Sequence, residues 1–395
     1  MSSRYDAVVV GAGPAGSATA ALLAAAGCQV ALVDRARFPR PKPCADYLNP
    51  GAVRALERLG VLADVMSRAP AHIRGMRVVA PCGTSAVGRF RTHAGLALRR
   101  EILDALLVEH AARRGAQVIE GAMVERIGPP EPAGRAVHLR VDGKQRTLEA
   151  RLVVGADGLN SRVARWVGLP RRGRPRRAAL VAHYEGAAGM HGLGEMFVTH
   201  LGYVGIAPVD GGLSNVSAVW DVDHAPHGPR DPSAWFEHQV AQAPELAERL
   251  RGARRLGPLM GAGPFASRVR HPVGERVLLV GDAAGFFDPF TGDGIWTALR
   301  GAELGAAVAL QALAADRLAE RDLAAYQAAR RRAFRTKWAV EHLVSAVVGR
   351  PRLLNHLARR LAAHPQLIET LVGVTGHQVP ASALLRPALL WSALR

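Results

Sequence analysis

The chain has 395 residues, of which 49% are apolar and 42 are glycine, so it can bury a large core in two or three domains. Its formal charge is +18, but nearly all basic residues are arginines spread along the chain without interleaved aromatic residues, so we do not expect a nucleic-acid partner. The cysteines, Cys28, Cys44 and Cys82, have neither disulfide nor metal-ligand spacing, so we expect a cytoplasmic protein without a metal site.

Residues 1–34 predict a strand, a glycine-rich turn, a helix and a second strand, because β-branched runs flank a segment rich in Ala and Leu. Gly11, Gly13 and Gly16 occupy the turn and the start of the helix, and Asp34 closes the second strand. This spacing is typical of a site in which a helix N-terminus faces a pyrophosphate and a carboxylate binds a ribose.

Prolines and periodicity divide the next part of the chain. Residues 34–50 contain four prolines and predict a structured loop. A helix is expected over 51–59, a pair of strands over 73–90 and an amphipathic helix over 98–114. Between 178 and 220 the alternation is of strand type with glycine-rich turns, which predicts an antiparallel sheet inserted in the middle of the chain.

Two later segments also combine a buried strand with Gly and Asp. The first has the sequence Val-Val-Gly-Ala-Asp-Gly-Leu-Asn-Ser-Arg around Asp157, which predicts a strand, a turn and a capped helix. The second, residues 277–295, predicts a strand ending at Asp282, a loop that starts with proline, and a long helix. The N–H groups of Gly294 and Ile295 open this long helix, and a helix N-terminus stabilises negative charge.

The C-terminal part is predicted to be mostly helical. An Ala-rich helix covers 294–313, helix continues from 324 to about 371, and an apolar tail interrupted by proline follows. Because this part is rich in arginine, it is a candidate for peripheral contact with a membrane surface; the alternative is a helical cap on the domain.

The three motifs, in this order, resemble the flavoprotein hydroxylase superfamily, which has the p-hydroxybenzoate hydroxylase-like fold. The resemblance covers residues 1 to about 315 and implies an α/β (α+β) fold, with a Rossmann-like FAD-binding domain, an inserted antiparallel-sheet substrate domain and a helical C-terminal segment. The expected boundaries are 1–72, 93–177 and 265–320 for the FAD-binding domain, 73–92 and 178–264 for the substrate domain, and 321–395 for the C-terminal segment.

FAD is therefore the expected cofactor. NAD(P)H is the expected transient reductant, because no second strand-borne glycine motif predicts a nicotinamide domain. Arg100 matches the superfamily pattern Arg-x-x-apolar-Asp-x-x-Leu-x-x-x-Ala, whose arginine contacts FAD. The residues expected to contact the cofactor are Gly11, Gly13, Pro14, Ala15, Gly16, Asp34, Arg35, Cys44, Ala45, Arg100, Val124, Asp157, Gly281, Asp282, Pro289, Gly292, Gly294 and Ile295.

Within the superfamily, Gly285 and the loop Phe-Pro-Arg-Pro-Lys-Pro-Cys-Ala-Asp-Tyr-Leu-Asn-Pro resemble the geranylgeranyl reductase branch and related hydroxylases of specialised metabolism. This loop is expected to lie beside the flavin. Cys44 is either a substrate-side thiol or a buried small residue. The same choice between a catalytic and a structural role applies to Asp46. The candidate catalytic residues are Cys44, Tyr47 and Asp293.

The leading prediction is an NAD(P)H-dependent monooxygenase that hydroxylates an aromatic or polyketide-like small molecule. The alternatives are a geranylgeranyl or polyprenyl reductase, which saturates isoprenoid double bonds, and a non-catalytic flavin-binding scaffold. Flavin-dependent halogenases carry Trp-x-Trp-x-Ile-Pro and an essential lysine. Residues 202–208 contain neither tryptophan, and Lys42 stands in another context, so halogenation is not expected. His200 or Tyr203 could line the substrate pocket.

Overall fold

A computed structural model describes residues 3–169, 171–173, 177–224, 229–265 and 267–385, so the end of the predicted C-terminal segment, 386–395, lies outside the described residues. The strands, in chain order, are Ser3–Val10 (β1), Val30–Val33 (β2), Tyr47–Leu48 (β3), Ala71–Ile73 (β4), Gly75–Val79 (β5), Ser85–Arg89 (β6), Gly95–Ala97 (β7), Gln117–Ile119 (β8), Ala122–Ile127 (β9), Arg135–Val141 (β10), Lys144–Gly155 (β11), Arg171–Arg172 (β12), Arg177–Glu185 (β13), Gly194–Val198 (β14), Gly202–Pro208 (β15), Leu213–Asp221 (β16), Arg254–Ala262 (β17), Ser267–Val269 (β18), Val273–Gly274 (β19), Val277–Leu279 (β20) and Gly285–Phe286 (β21).

The α-helices, in chain order, are Pro14–Ala25 (α1), Pro50–Leu59 (α2), Leu62–Met66 (α3), Arg100–Arg113 (α4), Arg162–Trp166 (α5), Pro232–Ala241 (α6), Pro244–Leu250 (α7), Gly294–Ala314 (α8), Glu320–Val348 (α9), Pro351–Ala363 (α10) and Pro365–Thr375 (α11). Short 3-10 turns occur at Asp210–Gly212, Val222–His224, Gly281–Ala283 and Ala381–Leu385. The continuous helix expected from 324 to 371 is wrong in detail: α10 and α11 each begin at a proline, which the first turn accepts and a helix interior does not.

A parallel sheet forms the centre of the N-terminal part. Its order is β20-β11-β1-β2-β8, with β19 antiparallel at one end and the β9–β10 hairpin attached to β11. Val8 and Val9 of β1 are fully buried, and each contributes roughly 1.5–3 kcal/mol to folding. Helices α1 and α8 pack against each other and share one core cluster with this sheet. The carboxyl ends of β1, β2, β11 and β20 therefore lie side by side, where ligands of parallel α/β sheets bind.

A seven-stranded sheet forms the second layer, in the order β17-β13-β16-β15-β14-β5-β6. All neighbouring pairs are antiparallel except β14 and β5, which are parallel. Helices α6 and α7 join one core cluster with this sheet, and residues of α9 and α10 join another. The predicted α/β (α+β) fold, with a Rossmann-like sheet and an added antiparallel layer, is confirmed, while the predicted domain boundaries stay predictions.

Candidate active site

In the glycine turn after β1, Gly11 and Gly16 are required by close packing. The third glycine, Gly13, borders an open space, which we call the cradle. A Cβ at Gly16 would lie 1.8 Å from Gly11 O, and one at Gly11, where φ is +100°, would lie 2.5 Å from Ala156 O. Gly13 has an ordinary φ of −75°. The only described atom that its Cβ would meet within 4 Å is Arg100 Nη2, at 3.9 Å. Gly13 therefore leaves a space between the N-terminus of α1 and a guanidinium group, as an anionic ligand requires.

Two carboxylates flank this turn. Asp34, at the end of β2, accepts hydrogen bonds from the N–H groups of Ala12, at 2.7 Å, and Ala36, at 2.8 Å. Asp157, after β11, accepts through Oδ2 from the first turn of α5, including Arg162 N at 2.7 Å. Its Oδ1 is buried and has no hydrogen-bond partner among the described atoms. Buried polar atoms are nearly always satisfied, so this oxygen fits the hydroxyl donor of a bound ligand.

Cations line the other side of the cradle. Arg100, at the start of α4, binds Asp104 through two hydrogen bonds of 2.8 and 2.9 Å, and Arg40 Nη1 lies 3.1 Å from the same carboxylate. Burial acts to lower the pKa of Arg100, but the charge of Asp104 outweighs it and keeps Arg100 charged. Desolvation, followed by the charges of Arg40 and Arg100, lowers the pKa of Lys42, which places this ammonium in the same positive field. Among these residues only Arg100 was predicted as a contact, because no local motif identifies the others.

The other predicted contacts range from buried to exposed. Pro14 and Ala15 are buried in the first turn of α1, and a Cβ at Gly281 would lie 2.7 Å from Ala15 Cβ. Asp282 is half-buried in the 3-10 turn Gly281–Ala283 that follows β20. Val124 lies in β9 with its side chain in the hydrophobic core. Arg35, directly after Asp34, and Ala45, directly after Cys44, are exposed.

The loop that carries Cys44 is fastened to the second sheet. Asp46 is buried, has a φ of +56°, and accepts hydrogen bonds from Arg100 N, at 3.0 Å, and Asn215 Nδ2, at 2.7 Å. His183 Nε2 lies 2.6 Å from the same carboxylate. Asn215 Nδ2 also donates to the carbonyl oxygen of Cys44, at 2.7 Å. Because His183 and Asn215 belong to β13 and β16, this network sets the position of Cys44 relative to both layers.

The Cys44 thiol is kept protonated. Burial raises its pKa, although the adjacent Arg100 guanidinium acts in the opposite direction. The thiol therefore keeps its proton at neutral pH. If the proton left, the Arg100 guanidinium would stabilise the thiolate.

The two other candidate catalytic residues meet beside the loop before α8. A Cβ at Gly292, where φ is +65°, would lie 2.7 Å from Tyr47 Cδ1, so this loop packs directly on the tyrosine ring. Burial, followed by the charge of Asp293, raises the pKa of Tyr47, and its phenol stays neutral. Gly294 and Ile295 form the start of α8, where their N–H groups belong to the first helical turn.

Asp293 belongs to a buried group of ionisable side chains. Its Oδ1 accepts a hydrogen bond from Thr291 Oγ1, at 3.0 Å, and lies 3.5 Å from Lys337 Nζ. Lys337 Nζ also donates to Glu341 Oε1, at 2.5 Å. Burial opposes ionisation of Asp293, but Lys337 and His377 lower its pKa to about 2; burial and the charge of Asp293 raise that of Glu341 to about 8. The sequence predicted Asp293 but not Lys337 or Glu341, since all three meet only through the packing of α9 on α8.

An aromatic cluster lies between the second sheet, the loop before α8 and the C-terminal helices. Tyr203 contacts Phe290 edge-on, with ring centroids 4.9 Å apart, and Phe265 contacts Phe286 at 5.4 Å. Tyr203 also donates to Asp288 Oδ1, at 3.3 Å. Apolar residues of α9 and α10 close the cluster; they are Val344, Val347, Val348, Leu354 and Ala358.

The family called FAD binding domain matches residues 4–340. The chain belongs to this family. Digeranylgeranylglycerophospholipid reductase 1 of Methanopyrus kandleri is 32% identical over 335 residues, covering 82% of this chain and 85% of that protein. The reductase of the same name from Methanothermobacter thermautotrophicus is 29% identical over 339 residues, covering 83% and 82%. The predicted superfamily is thereby confirmed.

Solved structures show the same fold at low identity. The flavin-dependent halogenase CmlS has a TM-score of 0.81 and 21% identity, covering 98% of this chain and 77% of its own. A geranylgeranyl bacteriochlorophyll reductase-like protein from Thermoplasma acidophilum has a TM-score of 0.76 and 20% identity, covering 99% and 96%. The chain is an FAD-dependent oxidoreductase, and the cradle at Gly13 and the unpaired Asp157 Oδ1 fit this cofactor.

Proposed function

We propose that this chain saturates carbon–carbon double bonds of an isoprenoid substrate, with NAD(P)H as the external reductant. Two reductases that match the chain over more than four fifths of its length support this reaction over the predicted monooxygenase. The observation that carries the proposal is the position of the Cys44 loop, which Asn215 and Asp46 fasten to the second sheet and to the start of α4, next to Arg100. Saturation of a double bond needs one hydride and one proton, and this thiol is a suitable proton source.

The cofactor would be held across the ends of the parallel strands. The N-terminus of α1 and Arg100 would bind its pyrophosphate, Asp34 and Asp157 its hydroxyl groups, and the start of α8 its ring. Bound FAD supplies the hydride when reduced. Cys44 Sγ then gives its proton to the second carbon of the double bond, and Arg100 stabilises the resulting thiolate until water restores the proton. Asn215 and Asp46 position the loop during this transfer.

The aromatic cluster is the proposed seat of the isoprenoid chain. It joins the loop before α8 to apolar residues of α9 and α10, so a hydrocarbon would contact mainly carbon atoms there, with Asp288 and its partners Tyr203 and Arg177 at the polar edge. Tyr203 and Phe290 offer ring faces and edges to the chain, and the surrounding valines and leucine exclude water.

Substitution of Cys44 tests the proton source. The FAD-loaded C44A variant should lose at least about a hundredfold in double-bond reduction, the usual size of a general-acid contribution, while its flavin spectrum is unchanged. The measurement is single-turnover oxidation of reduced flavin by a geranylgeranyl lipid under anaerobic conditions. C82A, which removes an exposed cysteine, is the matched control. Equal rates in C44A and C82A would reject the assignment.

Aromatic hydroxylation is the second candidate, because the edge-on rings of the cluster would also hold a planar substrate. With air, NAD(P)H and a panel of phenols, a hydroxylase would give products that gain an oxygen atom. The reductase would give no oxygenated product. The electrons of any NAD(P)H that it oxidised would pass to oxygen and form hydrogen peroxide.

A membrane surface is the proposed source of the substrate. Residues 342–368 contain four arginines and three histidines but no Asp or Glu. At the corner between α9 and α10, Leu343 is 63% exposed and Leu353 is 41% exposed. Their inward neighbours close the aromatic cluster, so the same corner faces both the surface and the proposed substrate site. Anionic headgroups would pair with the arginines while the leucines enter the interface. No helix among the described residues is long and apolar enough to span a bilayer.

Vesicle binding tests this surface. Replacing Leu343, Arg350 and Arg352 with Gln should weaken binding to phosphatidylglycerol-rich vesicles about tenfold or more, since each basic residue contributes about 1 kcal/mol. The matched control replaces Met123, Lys144 and Arg146, which are exposed on the β9–β11 side and carry the same charge. Equal weakening in both triple variants would mean that binding follows net charge and not this corner.

A further inference from the structure

Beyond the cleft for FAD, a cavity of about 310 Å³ lies between the loop before α8, helix α9 and the segment after α11. Polar groups on its wall come from Thr291, Asp293, Lys337, Glu341 and His377. Apolar residues also line the cavity and include Val340, Val374, Val379 and Pro380. A cavity of this size admits water, which would use the polar wall for hydrogen bonds.

One carboxylate oxygen on this wall has no protein partner. Glu341 is 2% exposed; its Oε1 accepts from Lys337 at 2.5 Å, and its Oε2 is buried with no hydrogen-bond partner in the described part of the chain. Buried, unpaired carboxylate oxygens are costly, so the favoured state carries a proton that cavity water can exchange. Lys337 continues the chain of contacts to Asp293 Oδ1, at 3.5 Å.

We propose that Glu341 is a proton acceptor coupled to the flavin site, which takes up one proton when the bound FAD is reduced in alkaline solution. Asp293 immediately precedes Gly294 and Ile295, whose N–H groups are proposed to face the flavin ring. Two-electron reduction adds negative charge at that end, and a negative charge there favours protonation of a nearby carboxylate. The inference rests on this placement of the flavin and not on the identity of the substrate.

The charges around Glu341 determine in which pH range the proton is taken up. It faces Lys337 on its own helix, Asp288 and Asp293 on the loop before α8, and His377 after α11. In the oxidised protein the pKa of Glu341 is raised to about 8 by burial and by Asp293. Below that pH the side chain is protonated in both redox states. Above it, reduction draws in a proton, so the midpoint potential should fall more steeply with pH.

The test is the midpoint potential of the FAD-loaded protein between pH 6 and 10. One proton per two electrons adds about 30 mV per pH unit, so the wild-type slope should steepen by this amount between about pH 8 and the higher pKa that Glu341 has in the reduced protein. E341Q should lack the added slope, agree with wild type below pH 8 and lie above it at higher pH. E109Q, an exposed change on α4, should behave as wild type.

Infrared difference spectra provide a second measurement that does not depend on the variant. Reduction of the wild-type protein above pH 8 should produce the carbonyl band of a protonated carboxylic acid, and no such band should appear below pH 7. A wild-type potential of unchanged slope together with no carboxylic band would overturn the proposal. Both readouts are independent of substrate turnover, so failure of the reductase assignment would leave them unaffected.

Discussion

At the scale of single residues, the glycine motif separates cofactor binding from folding. Gly16 is in backbone contact with Gly11 and has no room for a side chain, whereas Gly13 borders only the cradle and the Arg100 guanidinium. We predict that G13A folds with an unfolding midpoint close to that of wild type but binds FAD at least tenfold more weakly, because its methyl group occupies the phosphate space.

G16A is the contrasting variant. Its methyl group would force α1 away from β1, so we expect a clearly lowered unfolding midpoint of the FAD-free protein. Thermal unfolding of the apoproteins, combined with FAD titration by fluorescence quenching, measures both effects. A G13A variant with wild-type affinity would contradict the placement of the pyrophosphate.

At the scale of elements, the buried carboxylate of Asp46 ties the loop between β2 and β3 to the start of α4 and to the second sheet. In D46A, the N–H of Arg100 loses its acceptor and the amide of Asn215 keeps only the carbonyl oxygen of Cys44, and each unsatisfied donor costs about 1–3 kcal/mol. We predict a loss of about 3 kcal/mol in the free energy of unfolding, measured by urea denaturation. D316A is the control, since Asp316 also has a positive φ but is exposed, and its partner Arg151 lies outside this loop. Similar losses in the two variants would show that the backbone conformation matters and the network does not.

Strands and helices are predictable where a short stretch of the sequence carries their pattern. Strands that are closely followed by an aspartate predicted the positions of Asp34, Asp157 and Asp282, and the carboxyl ends of parallel strands lie together at one edge of the sheet. The length of the C-terminal helix was wrong, because the prolines at 351 and 365 begin new helices. Proline is compatible with the first turn, so periodicity alone extends across it.

At the scale of the whole molecule, the parts that were missed are contacts between distant segments. Asp46 meets His183 and Asn215 from another layer, and Asp293 meets Lys337 and Glu341 from a helix that resembled a simple cap. Such pairs depend on how layers pack and have no spacing in one sequence that reveals them. They are also the groups that set the charge and position of the candidate site, so the chemistry is less predictable than the fold.

The most direct test is product analysis with the purified, FAD-loaded protein. It would be reduced anaerobically and mixed in D₂O with a geranylgeranyl lipid held in anionic vesicles, and the extracted lipid would be examined by mass spectrometry. The account predicts that each saturated double bond gains two hydrogen atoms. At least one of them should be deuterium, delivered through the Cys44 thiol. An unchanged lipid under these conditions, together with oxygen incorporated into an aromatic compound in air, would contradict it.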